Sequence, residues 1–441
     1  MRRPFFLAFV AVFALVGSAL SGAPALAQSK SSNTASDVGI TPTTIRIAVV
    51  ADVDNPIVPG VLQGIVDGVN GYGKYANATG GVGGRKIQVD FIDSKLNAND
   101  ARNAIIQACS QDFALVGTGA LLLQTVQDET SCADKAGAVT GLPDVAALVT
   151  NPDEGCAANA FPILPNAVEC STAKSSPQTY RVNNGDSKYL LKAKGNHLHG
   201  SFVLASDSAS VVRTSTLLFK GATQAGIKSD NDWKVTGFSP QSAYTPIIQA
   251  MKNANSNYGL SLQAVTGVVL ERKEAQLQGL TDPKITWECT LACYYDKSFV
   301  GASDSVDREY MALGFLPFAE TGANKMDANF VKYVGKDKLS GFASWGFTSG
   351  LLFEQAANAV VQKHGNNGLT RANLLAELKN IHSFNADGMV ATTDIGNKIP
   401  TNCFMLEQYT NKKFVRVYPT KQGTFDCKPS NIYTFKEDIS G

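Results

Sequence analysis

Few residues in this 441-residue chain have chemistry to offer: four histidines, eight cysteines and several glycine-rich turns. His197 and His199 would share one face of a strand, enough for half a metal site, but no partner ligands accompany them. A solvated strand start accounts for both. His364 and His382 follow expected helix ends, where an imidazolium suits the negative end of the dipole. Cys289 and Cys293 lack the second nearby pair that a zinc site takes. The run Gly346-Phe347-Thr348-Ser349-Gly350 has Thr where a nucleophile elbow needs Ser, and reads as the first turns of a helix. A dinucleotide turn needs three spaced glycines between strand and helix; Gly117 and Gly119 have the position without the third. The glycines at 80–84 stand between helix and strand, the wrong order, and no phosphate-binding loop motif occurs. No cofactor and no metal are expected, and histidine catalysis is poorly supported.

The elements that would position these residues alternate strand and helix. Residues 45–50 (IRIAVV) form a short β-branched apolar run, expected as a buried strand. Val61, Leu62, Ile65, Val66 and Val69 mark a helical stripe, and Ile87, Val89 and Phe91 alternate as a second strand. Together they make a β-α-β unit with parallel strands. Asp100 is expected to cap another helix, residues 114–116 to be a third strand, and residues 117–120 to turn into a further helix. A fourth strand falls between Ala138 and Val149, and the proline-punctuated stretch 151–177 reads as loop. The rhythm restarts at Tyr180, with strands expected at 201–206, 233–238, 265–270 and 285–288. One helix is capped by Asp207 or Ser208, and Thr245-Pro246 opens another. Residues 404–409 and 414–418 flank a polar turn as a hairpin.

Residues 1–27 carry Arg2 and Arg3, an apolar core and a small-x-small end, Ala25-Leu26-Ala27. They are expected to be a cleaved signal peptide, since the core falls short of the roughly 20 residues of a membrane span. Residues 28–40 follow as a disordered polar leader. The rest is long enough for two domains or one bilobal body. Net charge is +1, or −1 without Arg2 and Arg3, and no basic stripe points to nucleic acid. Cys109, Cys132, Cys156, Cys170, Cys289, Cys293, Cys403 and Cys427 all lie in the exported part, where an even count favours disulfides. Sequence leaves the connectivity open. Pairing neighbours gives 109–132, 156–170, 289–293 and 403–427, each loop constraining the unfolded chain by about 3 kcal/mol.

The strand, long helix and Gly80-Gly81-Val82-Gly83-Gly84-Arg85-Lys86 run, followed by a strand ending at Asp93, resembles the opening of type I periplasmic binding proteins. Within them it is similar to the Leu/Ile/Val-binding branch, the extracytoplasmic receptors of ABC importers. Tyr180-Arg181 stands where members commonly carry an aromatic-Arg pair at the crossover into the second lobe. Residues 310–318 look like the strand returning to the first lobe, and the Cys109–Cys132 pair resembles the branch's early disulfide. The tail, with Arg416-Val417-Tyr418-Pro419 and residues 423–427, resembles actinobacterial members. The resemblance spans nearly the whole exported chain. It implies α/β architecture: two doubly wound, flavodoxin-like lobes, a multi-strand hinge and a ligand cleft between the lobes. Residues 41–178 and 311–382 would form the first lobe, 179–310 and 383–441 the second.

In open α/β sheets ligands sit beyond the carboxyl ends of strands. That rule selects Asp54, Asn55, Thr118, Gly119, Ala120, Leu142 and Asp144 in the first lobe. In the second it selects Ser206, Asp207, Glu271 and Glu288, with Tyr180 and Asn184 at the crossover. Amino-acid-binding relatives usually hold the ligand carboxylate with Ser/Thr hydroxyls and backbone N–H groups after the third strand. Here Thr118 is followed by Gly119, Ala120 and Leu121, a thin hydroxyl cluster. Asp207, Glu271 or Glu288 could meet an ammonium, or serve as caps and solvated acids. A less polar or aromatic solute fits equally well. The expectation is a secreted, non-catalytic, monomeric receptor that hands a small-molecule solute to ABC permease subunits. Two alternatives stand: a secreted α/β hydrolase-like enzyme, and a sensor of the same fold presenting its solute to a membrane receptor.

Overall fold

Buried residues fill almost all of β1 (Thr44–Ala51), so it takes an interior place in its sheet. In the computed structural model, which describes residues 32–56, 58–237 and 239–439, β1 pairs in parallel with β2 (Lys86–Asp93) and β3 (Ala114–Val116). With β4 (Asp144–Val145) the order is β2-β1-β3-β4. The apolar residues of β1 split between two cores. Ile47 and Val49 join the cluster containing Ile65 and Val69 of α1 (Gln63–Ala78), while Ala48 and Val50 meet Ala104 and Ile105 of α2 (Ala98–Gln111). Helices thus cover both faces, as a doubly wound sheet requires. Short helices α3 (Gln127–Thr130) and α4 (Pro152–Cys156) punctuate the chain before β5 (Gln178–Asn183).

The second lobe repeats the design. After α5 (Gly185–Ala193) come β6 (His199–Ala205), α6 (Ala209–Ala225), β7 (Lys228–Val235), α7 (Thr245–Ala254) and β8 (Tyr258–Leu262). Next are α8 (Val265–Leu277), β9 (Thr286–Cys289), α9 (Lys297–Gly301) and β10 (Glu309–Leu313). The parallel strands run β10-β9-β8-β6-β7, again placing the first strand between the second and third. The chain then returns to the first lobe as α10 (Lys325–Val334), α11 (Gly341–His364) and α12 (Arg371–Lys379). The hairpin β11 (Met405–Thr410) and β12 (Lys413–Tyr418) extends the second sheet antiparallel beyond β10. Last, β13 (Ile432–Glu437) pairs with β5 as a separate ribbon.

Helix α11 presses tightly along α1. A Cβ on Gly68 would lie 2.1 Å from the Ala343 carbonyl oxygen, and one on Gly346 would lie 2.1 Å from that of Ile65. The Gly346–Gly350 run is therefore a helix-packing surface, with Thr348 and Ser349 buried inside α11. All eight cysteines are paired as neighbours: 109–132, 156–170, 289–293 and 403–427. Among the described residues no helix is long and apolar enough to cross a membrane. The expected signal peptide lies outside them.

Several local expectations are corrected. Residues 265–270 are the start of helix α8, and the strand is β8, earlier in the chain. Val265, Val268 and Val269 suit a helical stripe as well as a strand, and the run was too short to separate the two. No helix begins at residues 117–120, where the chain stays irregular until α3. Asn97, not Asp100, caps α2 by accepting the Asn99 and Asp100 amides. Ser208 caps α6, and the Thr245 hydroxyl donates to Glu274 at 2.9 Å instead of capping α7. Much of the expected disordered leader is held in place. The Thr34 amide donates to Asn367 Oδ1 at 2.8 Å, the Ser36 hydroxyl to the Leu369 carbonyl at 2.7 Å, and Asp37 accepts the Arg371 amide at 2.7 Å.

Candidate functional site: the cleft between the lobes

Both sheets aim their carboxyl ends at one cavity of about 730 Å³. From the first lobe come Val58, Val61 and Leu62 after β1, Leu96 after β2, Leu121 and Leu122 after β3, and Leu148 after β4. From the second come Ala205 at the end of β6 and Asp207 after it, Gly237 after β7, Leu262 at the end of β8 and Val265 after it, and Thr290 after β9. Val211 and Leu218 of α6 complete one wall, and Leu339, Ser340 and Phe342 at the start of α11 complete another. Each lobe has its topological switch point between its first and third strands, and the cavity lies there in both.

The backbone donors that such loops offer a ligand are used by the protein itself. Asp52, fully buried, accepts the Ser94 hydroxyl at 2.6 Å and the Leu96 and Leu121 amides at 2.8 Å each. Burial raises its pKa above the ordinary carboxylate value, with these hydrogen bonds opposing. Asp93 likewise accepts the Val53 and Asp54 amides, at 3.1 and 2.8 Å. The Gly119 amide goes to the Val50 carbonyl at 2.8 Å. These acids end β1 and β2 and tie the loops that carry the apolar walls.

Of the positions expected from sequence, Asp207 lines the cavity, and its Oδ1 accepts the Gly237 amide at 2.8 Å. The others lie elsewhere. Asp54 is exposed, and Asn55 pins its loop by accepting the Val58 amide at 2.8 Å. Thr118 is buried and gives its hydroxyl to Asp144 at 2.6 Å, while Gly119 and Ala120 pack beneath the cleft wall. Leu142 belongs to the core around α2. Tyr180 stacks on Phe435 in the β5–β13 ribbon, and Asn184 donates to the Gly221 carbonyl at 3.1 Å. Ser206 donates to the Val235 carbonyl at 2.8 Å. Glu271 accepts Ser261 and Gln263 at 2.7 and 2.8 Å, and burial lifts it to about 7. Glu288 accepts the Tyr258 hydroxyl at 2.6 Å; burial and then the neighbouring Asp186 raise it strongly.

The sequence reading passed over the apolar wall, because leucines and valines in loops carry no motif. One signal was available: Leu121, Leu122 and Leu123 follow the third strand, where a polar ligand would call for hydroxyls. Cys289–Cys293 also gains a role from its place. It clasps the segment holding Thr290 and Ala292, which runs on to Tyr295 and Asp296 in the cavity wall.

Two doubly wound lobes with facing carboxyl ends and one cavity between them define a two-lobed ligand-binding fold. The chain belongs to the periplasmic binding protein family, whose model matches residues 44–413. Solved structures agree at the level of fold. A fatty acid ABC transporter substrate-binding protein from Thermomonospora curvata is 14% identical, with TM-score 0.65, over 89% of this chain and 95% of that one. A leucine binding protein from Thermotoga maritima is 13% identical, with TM-score 0.61, over 85% and 97%. An ABC transporter substrate-binding protein from Desulfitobacterium hafniense in complex with Leu is 13% identical, with TM-score 0.58, over 85% and 100%. No curated protein matches the sequence.

Proposed function

We propose that the protein is the extracytoplasmic solute receptor of an ABC importer. It captures one small organic solute in the cavity between its lobes and presents the closed form to permease subunits. The observation that carries this reading is the convergence of the carboxyl ends of both parallel sheets on a single cavity of about 730 Å³, a volume typical of small-molecule sites. Relatives of the same fold, named for leucine and for fatty acid, support it. The residues that bind are those of the cavity wall, with Asp207 the member shared with the sequence reading. Three passages of chain between the lobes act as the hinge, at β5, after β10 and before β11. The receptor acts as a monomer and does no chemistry on its solute. Thermal-shift screening of the purified protein tests the reading, since a ligand binding only the folded state raises its melting temperature with concentration. Turnover of a stabilising compound would favour the enzyme alternative, and neighbouring genes for a membrane sensor would favour the sensor.

A further inference from the structure

We infer that the solute is a predominantly hydrocarbon molecule with no amino-acid head, which deepens the receptor reading and rests on it. An amino acid needs donors for its carboxylate and an acid for its ammonium, both facing the cavity and both unspent. The donors after β3 are spent: Leu121 N–H on Asp52, Gly119 N–H on Val50, the Thr118 hydroxyl on Asp144. Several polar side chains of the wall are engaged as well. Ser208, Thr290 and Ser340 each accept a backbone amide nearby, and Ser215 donates to the Leu262 carbonyl.

Of the charges of the wall, Lys297 and Asp337 are exposed to solvent, and the others already have protein partners. Asp207 holds the Gly237 amide, Asp296 caps α9, and Asp67 is paired with Lys338 at 2.6 Å. These charges are already balanced by protein partners or by solvent, so a zwitterionic head gains less from them than from an unpaired buried partner. What the cavity offers without rearrangement is aliphatic surface from both lobes. Its volume, about 730 Å³, also exceeds what a single small amino acid fills. Leu218 on α6, a large apolar side chain 40% exposed, lines this space and offers it aliphatic surface.

The test is titration calorimetry of the full protein with straight-chain alkanoates and alkanols of six to twelve carbons, beside leucine and phenylalanine. Affinity in both alkyl series is expected to rise about fourfold per added methylene until the cavity is full. Leucine and phenylalanine are expected to show no heat. Leu218→Asp should weaken the ten-carbon probes at least tenfold, whereas Leu277→Asp, at an exposed position outside the cavity, should leave them unchanged. Leucine binding together with a flat alkyl series overturns this inference and leaves the receptor reading intact. Silence from every probe overturns both.

Discussion

Asp52 and Leu121 are joined across the first lobe by one hydrogen bond, 2.8 Å from amide to carboxylate, and that bond uses the Leu121 amide within the protein. The same carboxylate takes the Ser94 hydroxyl and the Leu96 amide. Asp52→Ala strands one buried donor and two partly buried ones and should cost about 3–5 kcal/mol of stability. Urea unfolding should show a lower midpoint with an unchanged slope. A loss under about 1 kcal/mol would mean that water replaces the carboxylate.

Arg371 does for the returning helices what Asp52 does for the loops. It is fully buried and donates to the carbonyls of Cys109, Asp112 and Ala133 at 2.8, 2.6 and 2.6 Å, and to Phe113 at 3.3 Å. Burial lowers its pKa, with Asp37 the largest opposing charge. Lysine keeps the charge but cannot spread donors in a fork, so Arg371→Lys should destabilise by about 2–4 kcal/mol. A melting temperature equal to wild type would remove Arg371 as a keystone.

A pH dependence follows from the acids beneath β4. Burial raises Asp144 to about 7 from 3.8, against its Thr118 hydrogen bond and the charge of Lys398. Burial and the neighbouring acids also raise Glu129 and Glu154. The folded state therefore holds protons that the unfolded chain releases, and stability falls as pH rises from about 4 to 7. For Asp144, both states are protonated below that window, and above it the loss is complete. Lys398, lowered to about 8 by burial, acts only above the window and in the opposite direction. Asp144→Asn should remove about 2 kcal/mol of the decline between pH 5 and 7, read from urea midpoints at the two values. Parallel declines in variant and wild type would contradict the assignment.

The paired cysteines give a chemical prediction. Exported protein, denatured and alkylated without reduction, should carry no label at Cys109, Cys132, Cys156, Cys170, Cys289, Cys293, Cys403 or Cys427. Mass spectrometry reads this directly. Label at several of them in the unreduced sample would refute the pairing.

The frame was legible where apolar residues repeat over a long enough span. β1, the α1 stripe and β2 could be read from residues 45–93, and the hairpin of β11 and β12 from its two aromatic-rich runs. β8 was missed because Tyr258-Gly259-Leu260-Ser261-Leu262 is short and carries Gly and Ser, while the valines after it draw the eye to α8. The site was legible only to the level of loops. The rule of strand ends led to the neighbourhood of Val58, Leu121 and Leu148, but which side chain faces a cleft depends on tertiary hydrogen bonds. Thr118 shows this plainly: its hydroxyl suits a ligand by type, and Asp144, 26 residues away, claims it first.

The central claim is that the lobes close on a solute held between them, and small-angle scattering on the purified protein tests it. A saturating ligand found by thermal shift should reduce the radius of gyration while the particle mass stays that of one chain. An unchanged radius under saturation would place the solute outside the cleft and contradict the account.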